Sequence, residues 1–212
     1  MLKIQIFTFN PFQENTYILY NEKGEAILID PGAYFPAEVQ TLYDYILRAG
    51  LQLKYLLNTH CHLDHTFANK AMAEKYDLEL HFHKDEEPVF TRGEQTGEQY
   101  GLPFRNYTGK IIHPEEGDAI QLGNDTLHVI LAPGHSPGSI CFYCKEQNFL
   151  IGGDVLFRES IGRTDFEGGS HEQLLQSIKE KLFILPDETI VYPGHGPSTT
   201  IGYEKIHNPF LS

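Results

Sequence analysis

The chain has 212 residues, a formal net charge of −13 at pH 7 and a sequence pI near 5.2. No basic stripe is present to neutralise phosphates, which excludes nucleic acid as a substrate. No apolar run approaches the roughly 20 residues that cross a bilayer, and the start lacks a signal-peptide core. We therefore expect a cytoplasmic protein without a membrane span. Without a linker or repeat, one domain over residues 1–212 is expected.

The first part of the chain alternates between strand and helix patterns. Alternating apolar residues predict strands, and an apolar stripe with a helical period predicts helices packed on a sheet. The predicted strands are residues 2–9, 15–20, 26–29, 54–58 and 78–83, and the predicted helices are residues 36–49 and 66–76.

The second part of the chain is richer in strands. A short helix is predicted around residues 85–90, and an irregular segment with glycines at 93 and 97 is predicted to follow it. The later predicted strands are residues 119–122, 127–131, 140–144, 149–151 and 189–192, and the later predicted helix is residues 170–183.

The most informative stretch lies between a predicted strand and a predicted helix. His60 and His62 are two residues apart, so in an extended segment they face the same side. Asp64 and His65 follow, where a turn opening a helix can aim them at a second point. Imidazole and carboxylate are ligands for zinc and similar metals. The stretch therefore predicts ligands for two neighbouring divalent metals.

Three further side chains of the same kind lie at later strand ends. The neighbours of His135, Asp154 and His195 include glycine or proline. Proline restricts the backbone conformation, and glycine lets the backbone approach a site closely. With the first stretch they make five histidines and two aspartates. That set is enough for two metals with three or four protein ligands each.

Several other residues could have either a functional role or a purely structural one. Asp30 is either an acceptor for a ligand histidine or a turn former before Pro-Gly. His81 and His83 form a second H-x-H but lack a following Asp-His pair, so we expect solvated or hydrogen-bonded strand histidines. Cys141 and Cys144 have C-x-x-C spacing, but in a strand they face opposite sides, so buried thiols are expected.

The order of these residues resembles the metallo-β-lactamase superfamily, whose signature is H-x-H-x-D-H followed by a lone His, a lone Asp and a final His. The resemblance spans nearly the whole chain and implies an α/β (α+β) fold, a four-layer αββα sandwich with the site at one edge. It also implies a hydrolase with two divalent metal ions, zinc first and iron or manganese as alternatives. The implied metal ligands are His60, His62 and His135 for one metal, Asp64, His65 and His195 for the other, and Asp154 as a bridge.

Within the superfamily the chain most resembles the short glyoxalase II-like (hydroxyacylglutathione hydrolase-like) enzymes. An aspartate as the lone ligand is similar to that group, whereas β-lactamases of subclass B1 carry a cysteine there, so the close match is not expected to be an antibiotic-degrading enzyme. Only 17 residues follow His195, and they hold one lysine, Lys205, and no arginine, unlike the glutathione-binding extension of glyoxalase II proper. The stretches that carry this resemblance are residues 15–17, 133–138, 153–157, 161–165 and 194–197.

The resemblance implies a thioesterase whose partner is a small-molecule thioester such as S-D-lactoylglutathione. Asp64 would orient the attacking hydroxide as well as bind metal. Arg163 would bind a substrate carboxylate through its planar fork, or else form a surface salt bridge. Two alternatives stay open: a mononuclear Fe(II) persulfide dioxygenase with ligands matching His60, His135 and Asp154, and a lactone or ester hydrolase. Cys61 is expected to face the core.

Overall fold

Two six-stranded sheets pack face to face in the computed structural model, which describes residues 1–211. Helices cover the outer face of each sheet. Strands that bury both faces read as continuous apolar runs, as in the fully buried strand at residues 140–144. The predicted four-layer αββα sandwich is confirmed.

The first sheet has the strand order β1-β2-β3-β4-β5-β6. Pairing is antiparallel from β1 to β3 and parallel from β3 to β6. Its elements are β1 (Lys3–Phe9), β2 (Glu14–Tyr20), β3 (Glu25–Ile29), α1 (Pro36–Arg48), β4 (Gln52–Leu57), α2 (Leu63–Thr66), α3 (Asn69–Tyr76), β5 (Leu80–His81), α4 (Glu87–Gln99) and β6 (Ile111–Ile112).

The second sheet has the strand order β14-β13-β10-β9-β8-β7, and β11 and β12 form a small separate hairpin. The first helix of this half, α5, continues into a π-helical turn, Ile178–Leu182. Its elements are β7 (Ala119–Leu122), β8 (Asp125–Leu131), β9 (Ile140–Cys144), β10 (Phe149–Gly153), β11 (Leu156–Phe157), β12 (Ser160–Ile161), α5 (His171–Ser177), β13 (Ile190–Pro193), β14 (Thr199–Thr200) and α6 (Ile201–His207).

Three apolar cores hold these four layers together. Leu42 and Met72 belong to the core between the first sheet and its helices. Leu19 and Phe142 belong to the core between the two sheets. Leu174 belongs to the core between the second sheet and its helices. Each core is continuous, and burial of apolar surface at about 25 cal/mol per Å² is the main stabilising term.

The cysteines lie as their strand positions predict. Cys141 packs in the core under α5, whereas Cys144 packs between the sheets, so the two thiols face opposite sides. Cys61 is buried in the core on the helical side of the first sheet, as expected. All three are free thiols.

The expected irregular segment after residue 90 was wrong, because α4 runs as one helix from Glu87 to Gln99. Glycine has a low propensity for helix interiors, so glycines at 93 and 97 would ordinarily weaken a helix there. Instead, Gly93 and Gly97 are buried where the Phe104 ring packs on the helix, and a Cβ on Gly97 would lie 2.9 Å from that ring. The two glycines permit close packing, which compensates for their low helix propensity.

The expected single helix over residues 66–76 is also interrupted. A four-residue helix, α2, ends at Thr66, and α3 begins at Asn69. The predicted strand over residues 78–83 shortens to Leu80–His81, because only these two residues pair with β4 and β6. No helix within residues 1–211 is long and apolar enough to span a bilayer.

Strand direction brings the candidate residues to one edge. In the second sheet, β10 is parallel to β13, and β9 is antiparallel to both β8 and β10. The carboxyl ends of β8, β10 and β13 therefore lie together. The β4 end joins them, since the Ile140 amide donates to the Thr59 carbonyl at 2.8 Å. Loops from both sheets thus meet at this edge.

Candidate metal centre

Six of the seven candidate ligands fall into two groups of three. In each group, one nitrogen or oxygen atom from every member lies within 4.8 Å of the others. We name the first the three-histidine group and the second the aspartate–histidine group. The members are His60, His62 and His135 in the three-histidine group, and Asp64, His65 and His195 in the aspartate–histidine group.

The three-histidine group joins the loop after β4 to the loop after β8. His62 Nδ1 lies 2.9 Å from His135 Nε2, which lies 3.2 Å from His60 Nε2. Burial lowers the pKa of all three rings, that of His62 to about 3, with neighbouring imidazoles adding to the effect at His60 and His62. Three neutral rings that turn nitrogens toward one point are suited to hold a cation.

The aspartate–histidine group joins α2 to the loop after β13. His195 Nε2 lies 3.2 Å from Asp64 Oδ2, and His65 Nε2 lies 3.8 Å from the same oxygen. Burial opposes protonation of both rings, but nearby carboxylates outweigh it and raise the pKa of His65 and His195. Burial likewise opposes ionisation of Asp64, but His65 and the hydrogen bond from His195 lower its pKa.

Asp154 lies between the two groups at the end of β10. Its Oδ2 is 3.5 Å from His135 Nε2 and 3.5 Å from His195 Nε2, and its Oδ1 is 3.5 Å from His65 Nε2. Burial raises the pKa of this carboxyl, but His65, His195 and His135 outweigh burial and lower it. One carboxylate thus contacts both groups.

Two buried atoms at this junction have no hydrogen-bond partner within residues 1–211. They are His65 Nε2 and Asp154 Oδ1. Buried polar atoms are normally paired, since leaving one unpaired costs about 1–3 kcal/mol. Nitrogen and oxygen atoms that converge without partners fit a pair of divalent cations, and the mixed imidazole–carboxylate set suits zinc, iron or manganese.

Asp30 contacts a candidate ligand directly. His65 Nδ1 lies 3.1 Å from Asp30 Oδ2, which also accepts from the Thr59 hydroxyl at 2.7 Å. Its other oxygen accepts from the Thr59 amide at 2.7 Å. Asp30 also has a left-handed backbone with φ of 49°, as a turn residue would. Both interpretations of this residue hold, and its carboxylate orients the His65 ring.

Backbone carbonyls orient two of the other rings. His135 Nδ1 lies 2.7 Å from the Arg163 carbonyl, and His195 Nδ1 lies 3.1 Å from the Phe12 carbonyl. A ring nitrogen that donates to a carbonyl leaves the opposite nitrogen free as a lone-pair donor. Each ring therefore presents Nε2 to the centre.

The start of β2 holds the loop that carries His195. The Asn15 side chain donates to the carbonyls of Pro193 and Gly196 at 3.1 and 2.9 Å, and the Tyr17 hydroxyl donates to the Pro193 carbonyl at 2.6 Å. These bonds cross between the sheets. The Asn-Thr-Tyr stretch near the start of the chain thus holds the loop that carries His195 through these hydrogen bonds.

Gly194 permits the close approach of this loop to the centre. A Cβ there would lie 2.7 Å from His65 Cε1 and would also overlap Asp154 Oδ1. Such distances are shorter than any non-bonded carbon contact, so a larger residue would displace both side chains. The glycine beside the final histidine is therefore required by the geometry of the centre.

Two buried carboxyls near the centre were not predicted. Glu14 is fully buried, accepts from the Thr16 hydroxyl at 2.9 Å, and places Oε1 3.9 Å from His65 Nδ1. Burial raises its pKa well above the usual value. Glu86 is also fully buried and contacts both loops of the three-histidine group. No local spacing in the sequence identifies either carboxyl as part of the site. The contacts that do so join residues far apart in the chain, Glu14 to His65 and Glu86 to Ser136.

The predicted strand histidines lie away from both groups. His81 Nδ1 is 3.2 Å from the carbonyls of Leu56 and Glu79. His83 accepts from the Asp85 amide through Nδ1 at 3.3 Å. Both rings therefore have local backbone partners. His81 lies in β5 as predicted, whereas His83 follows that strand and caps the turn before α4.

A cavity of about 780 Å³ opens over the centre. Arg163 lines it and also forms a two-pronged ion pair with Asp165 at 2.6 and 2.7 Å, so both sequence interpretations of Arg163 are compatible with its position. The Arg163 guanidinium lies 4.1 Å from the centre of the Phe166 ring, which contacts His62. The aromatic residues of the lining are Phe12, Tyr100, Phe157 and Phe166.

The sequence model of the metallo-β-lactamase superfamily matches residues 9–195, so this chain belongs to that superfamily. The hydroxyacylglutathione hydrolase GloC of Haemophilus influenzae is 35% identical over 213 residues, which cover 100% of this chain and 99% of the relative. The chain is therefore a member of a metal-dependent hydrolase superfamily, with a glyoxalase II-like protein among its relatives.

Two solved structures are similar over nearly their full length. The BLEG-1 B3 metallo-β-lactamase is 36% identical with a TM-score of 0.89, covering 99% of this chain and 100% of that one. TTHA1623, solved in a di-iron-bound form, is 37% identical with a TM-score of 0.88, covering 98% and 100%. The expectation from Asp154 that the close match is not to an antibiotic-degrading enzyme is not supported by the first of these structures, a B3 metallo-β-lactamase that is similar over nearly its full length.

Proposed function

We propose that this protein is a dinuclear metal hydrolase that cleaves small thioesters of the hydroxyacylglutathione type. The observation that carries the proposal is the position of Asp154. Its carboxylate lies 3.5 Å from a histidine of each group, as a bridge between two cations requires. A site for a single metal would leave the aspartate–histidine group without an occupant.

Each metal would have three ligands of its own and share Asp154. His60, His62 and His135 would hold one metal, while Asp64, His65 and His195 would hold the other. When bound, two such cations lower the pKa of a water and polarise a carbonyl oxygen. Zinc is our first assignment for both positions. The di-iron-bound relative supports iron as the alternative.

Asp64 is the proposed catalytic residue. Its side chain is 13% exposed and lines the cavity, while Oδ2 is held by His195. An ionised carboxylate in this position accepts a hydrogen bond from the attacking water and aims it at the thioester carbonyl. Addition of water and loss of the C–S bond then yield a carboxylic acid and a thiol.

Arg163 is the proposed substrate-binding residue. A guanidinium on the cavity wall can exchange its contact with Asp165 for a substrate carboxylate, since that ion pair is exposed to solvent. Aromatic rings of the lining would contact the apolar parts of the thioester. The resemblance to GloC supports glutathione as the thiol.

Hydrolysis of S-D-lactoylglutathione by protein of known metal content tests the proposal. We expect about two metals per chain and thioester cleavage. His195→Ala should keep about one metal per chain and lose most of the thioesterase activity. The control His171→Ala, which changes an exposed histidine at the start of α5, should keep both metals and the activity. One iron per chain with oxygen uptake on glutathione persulfide, and no hydrolysis, would instead identify a dioxygenase.

β-Lactam hydrolysis is a second candidate, favoured by the similarity to the BLEG-1 structure. The same centre could direct water at a strained amide carbonyl. Parallel assays with a thioester, a lactone and a β-lactam on one metal-loaded preparation separate the candidates. A kcat/KM for the β-lactam above that for every thioester would overturn the thioesterase proposal.

A further inference from the structure

Glu86 ends a short 3-10 turn, Lys84–Glu86, that leads into α4. Its side chain is fully buried and is not among the residues that line the cavity. One oxygen, Oε2, accepts from the Cys61 amide at 2.8 Å. The other, Oε1, accepts from the Ser136 hydroxyl at 2.5 Å and from the Gly138 amide at 2.7 Å.

The donors belong to the two loops that carry the three-histidine group. Cys61 is the residue between His60 and His62, and Ser136 directly follows His135. A single carboxylate therefore holds both loops, one through each oxygen. The backbone hydrogen bond that joins these segments within residues 1–211 is the one from the Ile140 amide to the Thr59 carbonyl.

The hydrogen bonds of the buried Glu86 carboxylate indicate a role beyond filling space in the core. Burial raises the pKa of the Glu86 carboxyl, and its three hydrogen bonds oppose that effect. Two donors are backbone amides and one is a hydroxyl, so none is a cation. A buried carboxylate without a cation is expensive, whereas an apolar residue of the same size would fill the space. The carboxylate contributes something an apolar residue cannot, namely fixed directions for two loops.

Gly138 shows how closely the loops approach this carboxyl. A Cβ there would lie 2.9 Å from the Glu86 amide nitrogen and 3.0 Å from its Cγ. Only glycine allows this distance. The Gly138 position and the Glu86 side chain are thus two parts of one arrangement.

We propose that Glu86 is a positioning residue that sets the distance between the His60–His62 loop and the His135 loop, and so sets the metal affinity of the three-histidine group. The proposal rests on the metal sites of the proposed function. It does not depend on which substrate is hydrolysed, because the quantity it governs is metal binding.

The test replaces Glu86 with glutamine. In Glu86→Gln, the amide NH₂ must face either the Cys61 amide or the Ser136 and Gly138 donors, so at least one loop loses its acceptor. Cobalt(II) affinity, measured by competition with a chromophoric chelator, is expected to fall about 10- to 100-fold for one of two sites. The visible cobalt spectrum of that site is expected to change, since its imidazoles move.

Glu204→Gln is the matched control. Glu204 is also a fully buried carboxyl in a helix, and it accepts from the Thr199 hydroxyl, the Glu159 amide and the Asn208 side chain, none of which neighbours a candidate ligand. A purely structural effect would lower the melting temperature of both variants and leave cobalt affinity unchanged in both. That result would overturn the proposal.

Ser136→Ala is the second variant, in case Glu86→Gln does not fold. It removes one donor to Oε1 and leaves the carboxylate in place. We expect a cobalt affinity about 10-fold weaker, at the lower end of the range for supporting residues. Wild-type affinity in a folded Ser136→Ala would contradict the proposal. If the wild type binds two cobalt ions but does not hydrolyse thioesters, the proposed function is contradicted and the proposal for Glu86 is not.

Discussion

The three-histidine group and the aspartate–histidine group differ in charge, exposure and support. The first is built from buried rings whose pKa values are lowered by burial, so its members are neutral. The second contains a carboxylate and two rings whose pKa values neighbouring carboxylates raise. His195 has a side chain 26% exposed, whereas His60 is fully buried.

These differences show that the two proposed metal positions are not chemically equivalent. A neutral nitrogen position and a charged, mixed position bind the same cation with different affinity. Their supports also differ, since Glu86 holds the loops of the first, while Asp30 and Asn15 hold residues of the second. Perturbations should therefore separate the two metals, except where a residue serves both.

Removal of the Asp154 side chain should impair metal binding by both groups, because this residue contacts both. In Asp154→Ala we expect loss of both metals on dialysis and a fall in thioesterase kcat/KM beyond the about 100-fold that marks loss of a supporting residue. Elemental analysis and the hydrolysis assay measure these effects. Asp187→Ala, which changes an exposed acid paired with Lys205, should behave as wild type. Two retained metals in Asp154→Ala would refute its bridging position.

Removal of one member from each group should leave one metal in each case. His60→Ala should retain metal in the aspartate–histidine group, and His195→Ala should retain metal in the three-histidine group. Since each position keeps Asp154, elemental analysis should give about one metal per chain in both, with kcat reduced by about 100-fold. Loss of both metals from either variant would show that the groups act as one site.

Asp30→Asn should weaken the second position more than the first. Asparagine tolerates the left-handed backbone of this residue, so the change acts on the side chain. Asparagine has a single side-chain oxygen, so it cannot accept both from the Thr59 amide, which faces Oδ1, and from His65 Nδ1, which faces Oδ2; the support of the His65 ring is weakened. We expect about 10- to 100-fold weaker binding of one cobalt ion, measured by chelator competition. Equal weakening of both sites would contradict this assignment.

Asn15→Ala should have the smallest effect. The change removes two hydrogen bonds to the loop that carries His195, each contributing about 1 kcal/mol to the free energy of unfolding. Denaturant unfolding should show a loss of about 2 kcal/mol, and kcat/KM should fall by about 10-fold. The control is Asn124→Ala, in the turn between β7 and β8. If both variants behave alike, Asn15 does not support the second position.

The candidate ligands could be predicted because their signals are local. His60 to His65 have a distinctive spacing, and His135, Asp154 and His195 follow strands beside glycine or proline. The supporting contacts are not local. Glu86 and Ser136 are 50 residues apart, and Asn15 and Pro193 are 178 apart, so no spacing rule relates them.

The fold was predictable to the level of its layers but not of every helix. Periodicity identified α1 and α5, whose apolar stripes are regular. It failed for α4, because Gly93 and Gly97 resemble helix breakers until Phe104 is seen to pack against them. Tertiary packing overrides helix propensity there, and a sequence without its neighbours in space does not contain that information.

The most direct test of the central claim is a crystal structure of protein grown with zinc, with anomalous differences measured on both sides of the zinc absorption edge. We predict two peaks, one among His60, His62 and His135 and one among Asp64, His65 and His195, with the Asp154 carboxylate between them. A single peak at full occupancy, or two peaks away from Asp154, would contradict the dinuclear centre.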